Sequence, residues 1–305
     1  MKIGLMDVDG HNFPNLALMK ISAFHRRKND SVEWFNSLSN YDIVYKSKVF
    51  TFTPDENFVI NSSQVISGGT GYDITKILPQ EIDVVCPNYS LYPNFKSALG
   101  FVTRGCPNKC GWCVVPKKEG DIKPYADIES FLDGRNSAIL MDNNILASNY
   151  GLKQIEKIID LKIKVDFNQG LDSRIIANNE DIAKLLSKVK WLKPLRMACD
   201  TKLQMQSVEK ATLLLRKYKT TPSNYFVYVL VKDIPDALER VEFLKNLKLD
   251  SFAQPFRDYE NRAVNPELIK FARWVNHKAI FKTVEWKDYN QSRKNHDRNK
   301  KREGK

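Results

Sequence analysis

Three cysteines, Cys106, Cys110 and Cys113, stand in the stretch Arg104-Gly-Cys-Pro-Asn-Lys-Cys-Gly-Trp-Cys113 with the spacing C-x3-C-x2-C. Three thiolates on one short loop can hold three irons of a cubane iron–sulfur cluster and leave the fourth iron open to an outside ligand. A site closed by four protein ligands is structural, whereas an open position is what catalysis needs. A disulfide framework fits poorly, because the set is odd and the chain holds five cysteines in 305 residues. Structural zinc usually takes four Cys/His ligands, often as two C-x2-C pairs. Cys86, Cys199 and the four histidines supply no second pair, and His277 and His296 lie in or beside a basic C-terminal stretch. Cys86 and Cys199 read as small buried hydrophobes, so one cluster is expected.

The elements that must position this loop follow from the apolar pattern. Continuous apolar runs at 98–103, 138–141, 163–167, 194–198, 225–231 and 251–253 read as strands of a parallel sheet buried on both faces. Helical stretches follow each, near 126–132, 152–160, 180–186, 208–218, 237–247 and 266–276. In the fifth of these Leu238, Val241, Leu244 and Leu247 recur three apart, which marks an apolar face. Six βα repeats predict a partial (β/α)6 barrel of the TIM type over 98–286. The loops leaving the C-terminal ends of its strands would carry the chemistry, and the cysteine loop leaves the first strand.

Residues 1–97 predict a small Rossmann-like α/β domain. Its strands are expected at 2–9, 41–45, 63–67 and 82–86, with a helix at 16–27 capped by Asn15. Gly68-Gly-Thr-Gly71 lacks the G-x-G-x-x-G spacing and reads as a tight turn needing positive φ. No apolar run reaches the roughly 20 residues of a membrane span. No signal peptide is apparent, and thiols kept reduced for a cluster suit the cytoplasm. The net charge of +12 is uneven: residues 1–98 are near neutral at −1, residues 99–286 carry +8, and the last 19 residues carry +5. The segment 287–305 is expected to be a mobile basic tail, solvated or serving as an arm for a polyanion.

The cysteine spacing, with Trp112 in the aromatic slot before the last cysteine, resembles the radical S-adenosylmethionine superfamily. The resemblance implies a (β/α)6 barrel, one [4Fe-4S] cluster on Cys106, Cys110 and Cys113, and S-adenosylmethionine chelating the open iron. It implies reductive cleavage of the sulfonium to a 5′-deoxyadenosyl radical that takes hydrogen from a substrate, with electrons from an external flavodoxin or ferredoxin type donor. It also implies cofactor contacts at the strand ends: Asp142 and Asn144 in Leu140-Met-Asp-Asn-Asn-Ile145, and Asn168, Gln169 and Arg174 after the third strand. Asp200 after the fourth strand suits a ribose hydroxyl, and Gln254 after the sixth suits adenine or substrate. The subgroup with a cobalamin-binding-like N-terminal domain is the nearest in pattern, through the Asp/Asn-rich second strand end. Its D-x-H-x-x-G motif is incomplete, because Asp9-Gly-His-Asn-Phe-Pro14 has Pro14 where the motif has its glycine, and this weighs against cobalamin. No residue pattern names the substrate; the basic barrel is compatible with nucleic acid or a phosphorylated metabolite. The alternative is a non-catalytic iron–sulfur or zinc protein that binds nucleic acid through its basic tail.

Overall fold

A computed structural model describes residues 1–10, 12–55, 59–219, 225–259 and 264–289. The chain divides into two compact units that meet in sequence at Gln169 and Gly170. Both are α/β, and every sheet of three or more strands has parallel pairs.

In the first unit, strand β1 (Lys2–Asp7) lies between β2 (Ser31–Trp34) and β3 (Tyr41–Ser47), with β4 (Ser62–Gly68) beyond β3. Helix α1 (Leu16–Arg27) packs against this sheet, so Ile3, Leu5, Leu18, Ile21, Val32 and Ile82 form one core. Asn15 caps α1 through Leu18 N at 3.2 Å, and its own amide reaches Ser47 Oγ at 2.8 Å. The cap therefore also ties the helix entry to the end of β3. Strand β2 escapes the sequence pattern because it is four residues long and only Val32 is buried.

The strand expected at 82–86 is instead a single turn of helix, α2 (Gln80–Asp83). Pro79 begins the turn with φ −52°, and Ile82 N and Asp83 N both return to its carbonyl at 2.9 Å. Ile82 and Val85 of that apolar run are then buried, and Val84 between them is exposed. The Gly68–Gly71 turn behaves as its composition predicts. Gly69 has φ +95°, and a Cβ there would lie 2.4 Å from the Lys48 carbonyl oxygen.

The same unit continues with β5 (Ala98–Gly100) and a two-residue antiparallel ladder of β6 (Thr103–Arg104) with β7 (Lys123–Pro124). Between them lies α3 (Val115–Lys118); β8 (Ser137–Leu140) and β9 (Lys164–Phe167) follow, with α4 (Asn149–Asp160) between. β8 pairs with β5 and β9, and all four of its residues are buried. A helix expected near 126–132 is a 3-10 turn over Ile128–Phe131. Asp133 (φ +47°) and Gly134 (φ +72°) end it in left-handed backbone.

The second unit begins with α5 (Ser173–Asn178), α6 (Glu180–Ser187) and β10 (Lys190–Trp191). It then alternates β11 (Arg196–Ala198), α7 (Met205–Lys217), β12 (Phe226–Val231), α8 (Ile234–Asn246) and β13 (Asp250–Pro255) before α9 (Pro266–Asn276) and α10 (Lys278–Thr283). β12 is the central strand of the parallel set β11-β12-β13. Its apolar run is not equally buried on both faces. Val227, Val229 and Val231 are fully buried, whereas Phe226, Tyr228 and Leu230 are half-buried. Phe226 packs against Phe252 at 5.3 Å and edge-on to Tyr228 at 5.2 Å, so the half-buried face is aromatic.

The predicted tail boundary at 287 falls short. Tyr289 is buried, and its ring lies 6.0 Å from that of Trp286, which packs against Phe271 and Trp274. Residues 290–305 of the expected tail lie outside the described residues.

Arg240 is the largest fully buried side chain of the fold. Its guanidinium donates to Cys199 O at 2.6 Å and Leu230 O at 2.9 Å, and is neutralised by Asp236 at 2.5 Å. It thereby joins the ends of β11 and β12. Arg240→Ala leaves the Cys199 and Leu230 carbonyls without their charged donor, and hydrogen bonds of that kind are worth about 1.5–3 kcal/mol each. Urea unfolding of the variant should show a loss of that order, and a loss below about 1 kcal/mol would show that the ends of β11 and β12 do not need this tie.

Candidate metal centre

The cysteine loop is fixed at its base by two carboxylates. Asp142 follows β8 and is buried. It accepts Val102 N at 3.1 Å, Thr103 N at 2.5 Å and Thr103 Oγ1 at 2.6 Å, which locks the chain just after β5. Glu119, directly after α3, accepts Arg104 Nη2 at 2.7 Å, Gly105 N at 2.9 Å and Asn143 Nδ2 at 2.8 Å. Each carboxylate is an acceptor with several lone pairs, so it suits backbone N–H groups that no strand partner takes.

Gly105 turns the chain into the loop with φ +81°. A Cβ at this position would lie 2.2 Å from the Asp121 carbonyl oxygen, so no other residue fits. Cys106 N then donates to Gly120 O at 3.1 Å, closing both ends of the loop on each other. At the far end Cys113 N donates to Cys110 O at 3.0 Å, and α3 begins two residues later.

The three thiols are unbridged, and each is half-buried. Val115 N donates to Cys113 Sγ at 3.4 Å, and Asn144 Nδ2 approaches Cys106 Sγ at 3.8 Å. N–H donors aimed at sulfur favour the thiolate, the form that binds iron. Asn144 is buried with its neighbour Asp142. The donor set, three soft thiolates supported by N–H groups on one loop, fits an iron–sulfur cluster chemically. Among the described residues no group of three or more His, Cys, Asp or Glu side chains is gathered as ligands of a single metal ion.

The remaining predicted positions divide between the two units. In the first, Trp112 is half-buried beside Cys113, Asn168 is half-buried at the end of β9 with its N–H on Leu140 O at 2.9 Å, and Gln169 is exposed. In the second, the Arg174 guanidinium is held bidentately by Asp172 at 2.8 and 2.7 Å, in the first turn of α5 that Asp172 also caps. Asp200 accepts Leu230 N at 2.9 Å, and burial holds its carboxyl above the usual range. Gln254 is exposed near the end of β13.

Three residues that hold the loop escape sequence reasoning: Glu119, Gly105 and Asn143. A signal existed for the first, which is the first acid after Arg104 and follows Lys109, Lys117 and Lys118. Of these lysines, Lys109 and Lys117 are solvated, but Lys118 is half-buried and donates to Thr70 Oγ1 of the glycine turn. Burial, then the nearby Arg104, holds its amine below the ordinary lysine range.

No family model matches this chain, and no curated protein matches it either. Among solved structures its fold is similar to that of the cobalamin-dependent S-adenosylmethionine radical enzyme OxsB. For the form with aqua-cobalamin and S-adenosylmethionine bound, the TM-score is 0.55 at 14% identity. For the form with aqua-cobalamin bound, it is 0.53 at 12%. Each likeness covers 92% of this chain and 56% of the other, so the chain spans just over half the length of those proteins.

Burial pushes the Asp142 carboxyl up to about 6, against the hydrogen bonds that favour its anion. The folded protein thus takes up this proton more readily than the unfolded chain. The group's contribution is full below the unfolded value of about 4 and is lost as the pH rises through about 6. Measured by urea unfolding between pH 4 and pH 7, wild type should lose about 2–3 kcal/mol relative to Asp142→Asn. A constant difference between the two across that range would show that Asp142 does not titrate there.

Proposed function

We propose that this chain is a radical S-adenosylmethionine enzyme in which Cys106, Cys110 and Cys113 hold one [4Fe-4S] cluster. The observation that carries this is the C-x3-C-x2-C loop, unbridged and fixed at the C-terminal end of β5 by Asp142, Glu119 and Gly105. The fold it shares with OxsB supports the same reading. On this reading residues 98–286 form the partial (β/α)6 barrel, 1–97 a Rossmann-like domain before it, and the tail follows.

Bound together, cluster and S-adenosylmethionine supply reductive cleavage of the sulfonium and hydrogen abstraction, with an external flavodoxin- or ferredoxin-type protein as electron donor. The chain's share is to bind, orient and keep water out. Asp142 and Glu119 hold the entry to the loop through the backbone N–H groups of Val102, Thr103 and Gly105, and the three thiols come together when the cluster binds. Asn144 and Val115 N direct N–H groups at two of the sulfurs, which lowers the cost of added electron density. Asn168, Gln169, Arg174, Asp200 and Gln254 supply the polar contacts for the nucleoside and amino-acid ends of the cofactor. Arg174 reaches a carboxylate only by exchanging Asp172 for it, which keeps the guanidinium oriented until then. The subgroup's D-x-H-x-x-G loop lacks its final glycine here, where Pro14 stands, and cobalamin is no part of this reading. A cluster of this kind needs reduced thiols, in keeping with a cytoplasmic enzyme.

Anaerobic reconstitution with iron and sulfide should load about four irons per chain. Dithionite with S-adenosylmethionine should then yield 5′-deoxyadenosine, and Cys110→Ala should abolish both cluster and product. Wild type with a full cluster but no 5′-deoxyadenosine above background would refute the enzyme reading.

A further inference from the structure

Away from the cysteine loop, the first unit contains an open cleft of about 830 Å³ between the end of α1 and the segment that leads into β5. Arg26, Arg27, Lys96 and Arg135 line it, with Asp133 as the one acidic residue among the lining groups. Arg26, Arg27 and Lys96 are exposed at its rim. The left-handed pair Asp133-Gly134 turns Arg135 over the ring of Tyr89, with the guanidinium 3.7 Å from the centroid. Tyr89 is itself fixed, donating to Phe131 O at 2.6 Å and accepting Leu99 N at 3.0 Å. Arg135 Nη1 is held by Asp133 at 2.7 Å, while its buried Nε has no hydrogen-bond partner among the described residues. Phe95 also lines the cleft, and Phe13, nearly half exposed, meets it edge to face at 5.9 Å.

We propose that this cleft binds single-stranded nucleic acid, with phosphates on Arg26, Arg27 and Lys96 and bases against Phe95, Phe13 and the Arg135 guanidinium. A ligand that alternates anionic links and planar rings matches a groove lined by both cations and π-faces. A bare phosphate would use the charges and leave the rings idle. A small phosphorylated metabolite favours an enclosed pocket, whereas this cleft has an exposed cationic rim. The inference is independent of the cluster, since none of the cleft's residues holds iron or the cysteine loop.

The test uses the full chain and a fluorescently labelled single-stranded oligonucleotide of mixed sequence, as RNA and as DNA, titrated by anisotropy at several salt concentrations. The basic C-terminal segment is present throughout, so differences between variants report the cleft. Arg26→Ala/Arg27→Ala/Lys96→Ala should weaken binding and make the slope of log K against log salt shallower by about 2. Arg27→Ala/Lys96→Ala serves if loss of the bond from Arg26 Nη2 to Val32 O (3.2 Å) impairs folding, and should make it shallower by roughly 1–1.5. Phe95→Ala should weaken binding about tenfold with the slope unchanged. Wild-type affinity and slope in folded charge variants would overturn the proposal. So would displacement of the oligonucleotide by inorganic phosphate beyond that caused by potassium chloride of equal ionic strength, which would make this a small-anion site.

Discussion

Backbone N–H groups that no strand partner takes are the constraint on which the proposed metal centre depends. β5 is only three residues long, and beyond Gly100 the chain leaves its sheet with donors that water or protein must satisfy. Asp142 takes the first of them and Glu119 the next, and both follow the cysteine loop in sequence. The loop is therefore not held by its own backbone bonds alone. It is suspended from two carboxylates whose charge is matched to N–H donors and one guanidinium.

This arrangement explains why a residue that looks like a ligand position need not be one. Asp142 stands at a strand end, where parallel α/β folds place binding groups. Its oxygens already face the N–H groups of Val102 and Thr103 and the Thr103 hydroxyl. Its neighbour Asn144 is the one whose amide approaches a cysteine sulfur. Arg174 shows the same logic with opposite charge, since its fork is shaped for a carboxylate and closes on Asp172.

Much of the fold was legible because local and global signals agree. Helix α9 begins at Pro266 and ends at Asn276 as its composition predicts, with Asn265 as cap, and α1 likewise follows from Asn15. Legibility failed where a short element is decided by its surroundings. The run from Ile82 to Cys86 has a strand's composition, but Pro79 starts a helical turn, and Ile82 and Val85 are buried while Val84 is exposed. The run at Phe226–Val231 looks buried on both faces because aromatic residues count as apolar whether they pack in a core or line a half-open surface. Gly105 was hidden for a different reason: it acts through backbone conformation, and no side-chain spacing announces such a role.

The apolar pattern changes character near residue 98, yet packing does not part there. Tyr92 donates to Asp7 Oδ2 at 2.9 Å, while Lys20 joins Asp83 at 2.8 Å and Tyr125 at 3.1 Å. Lys118, just past the third cysteine, rests on Thr70 in the glycine turn. The amino-terminal sheet and the thiol loop are thus one heritable piece. A recombination event that exchanged either half for a cousin's would have to bring matching partners for these lysines and tyrosines at the same time. Such a junction tolerates slow co-drift of both sides far better than shuffling, so this pairing of sheet and loop should descend together through its lineage.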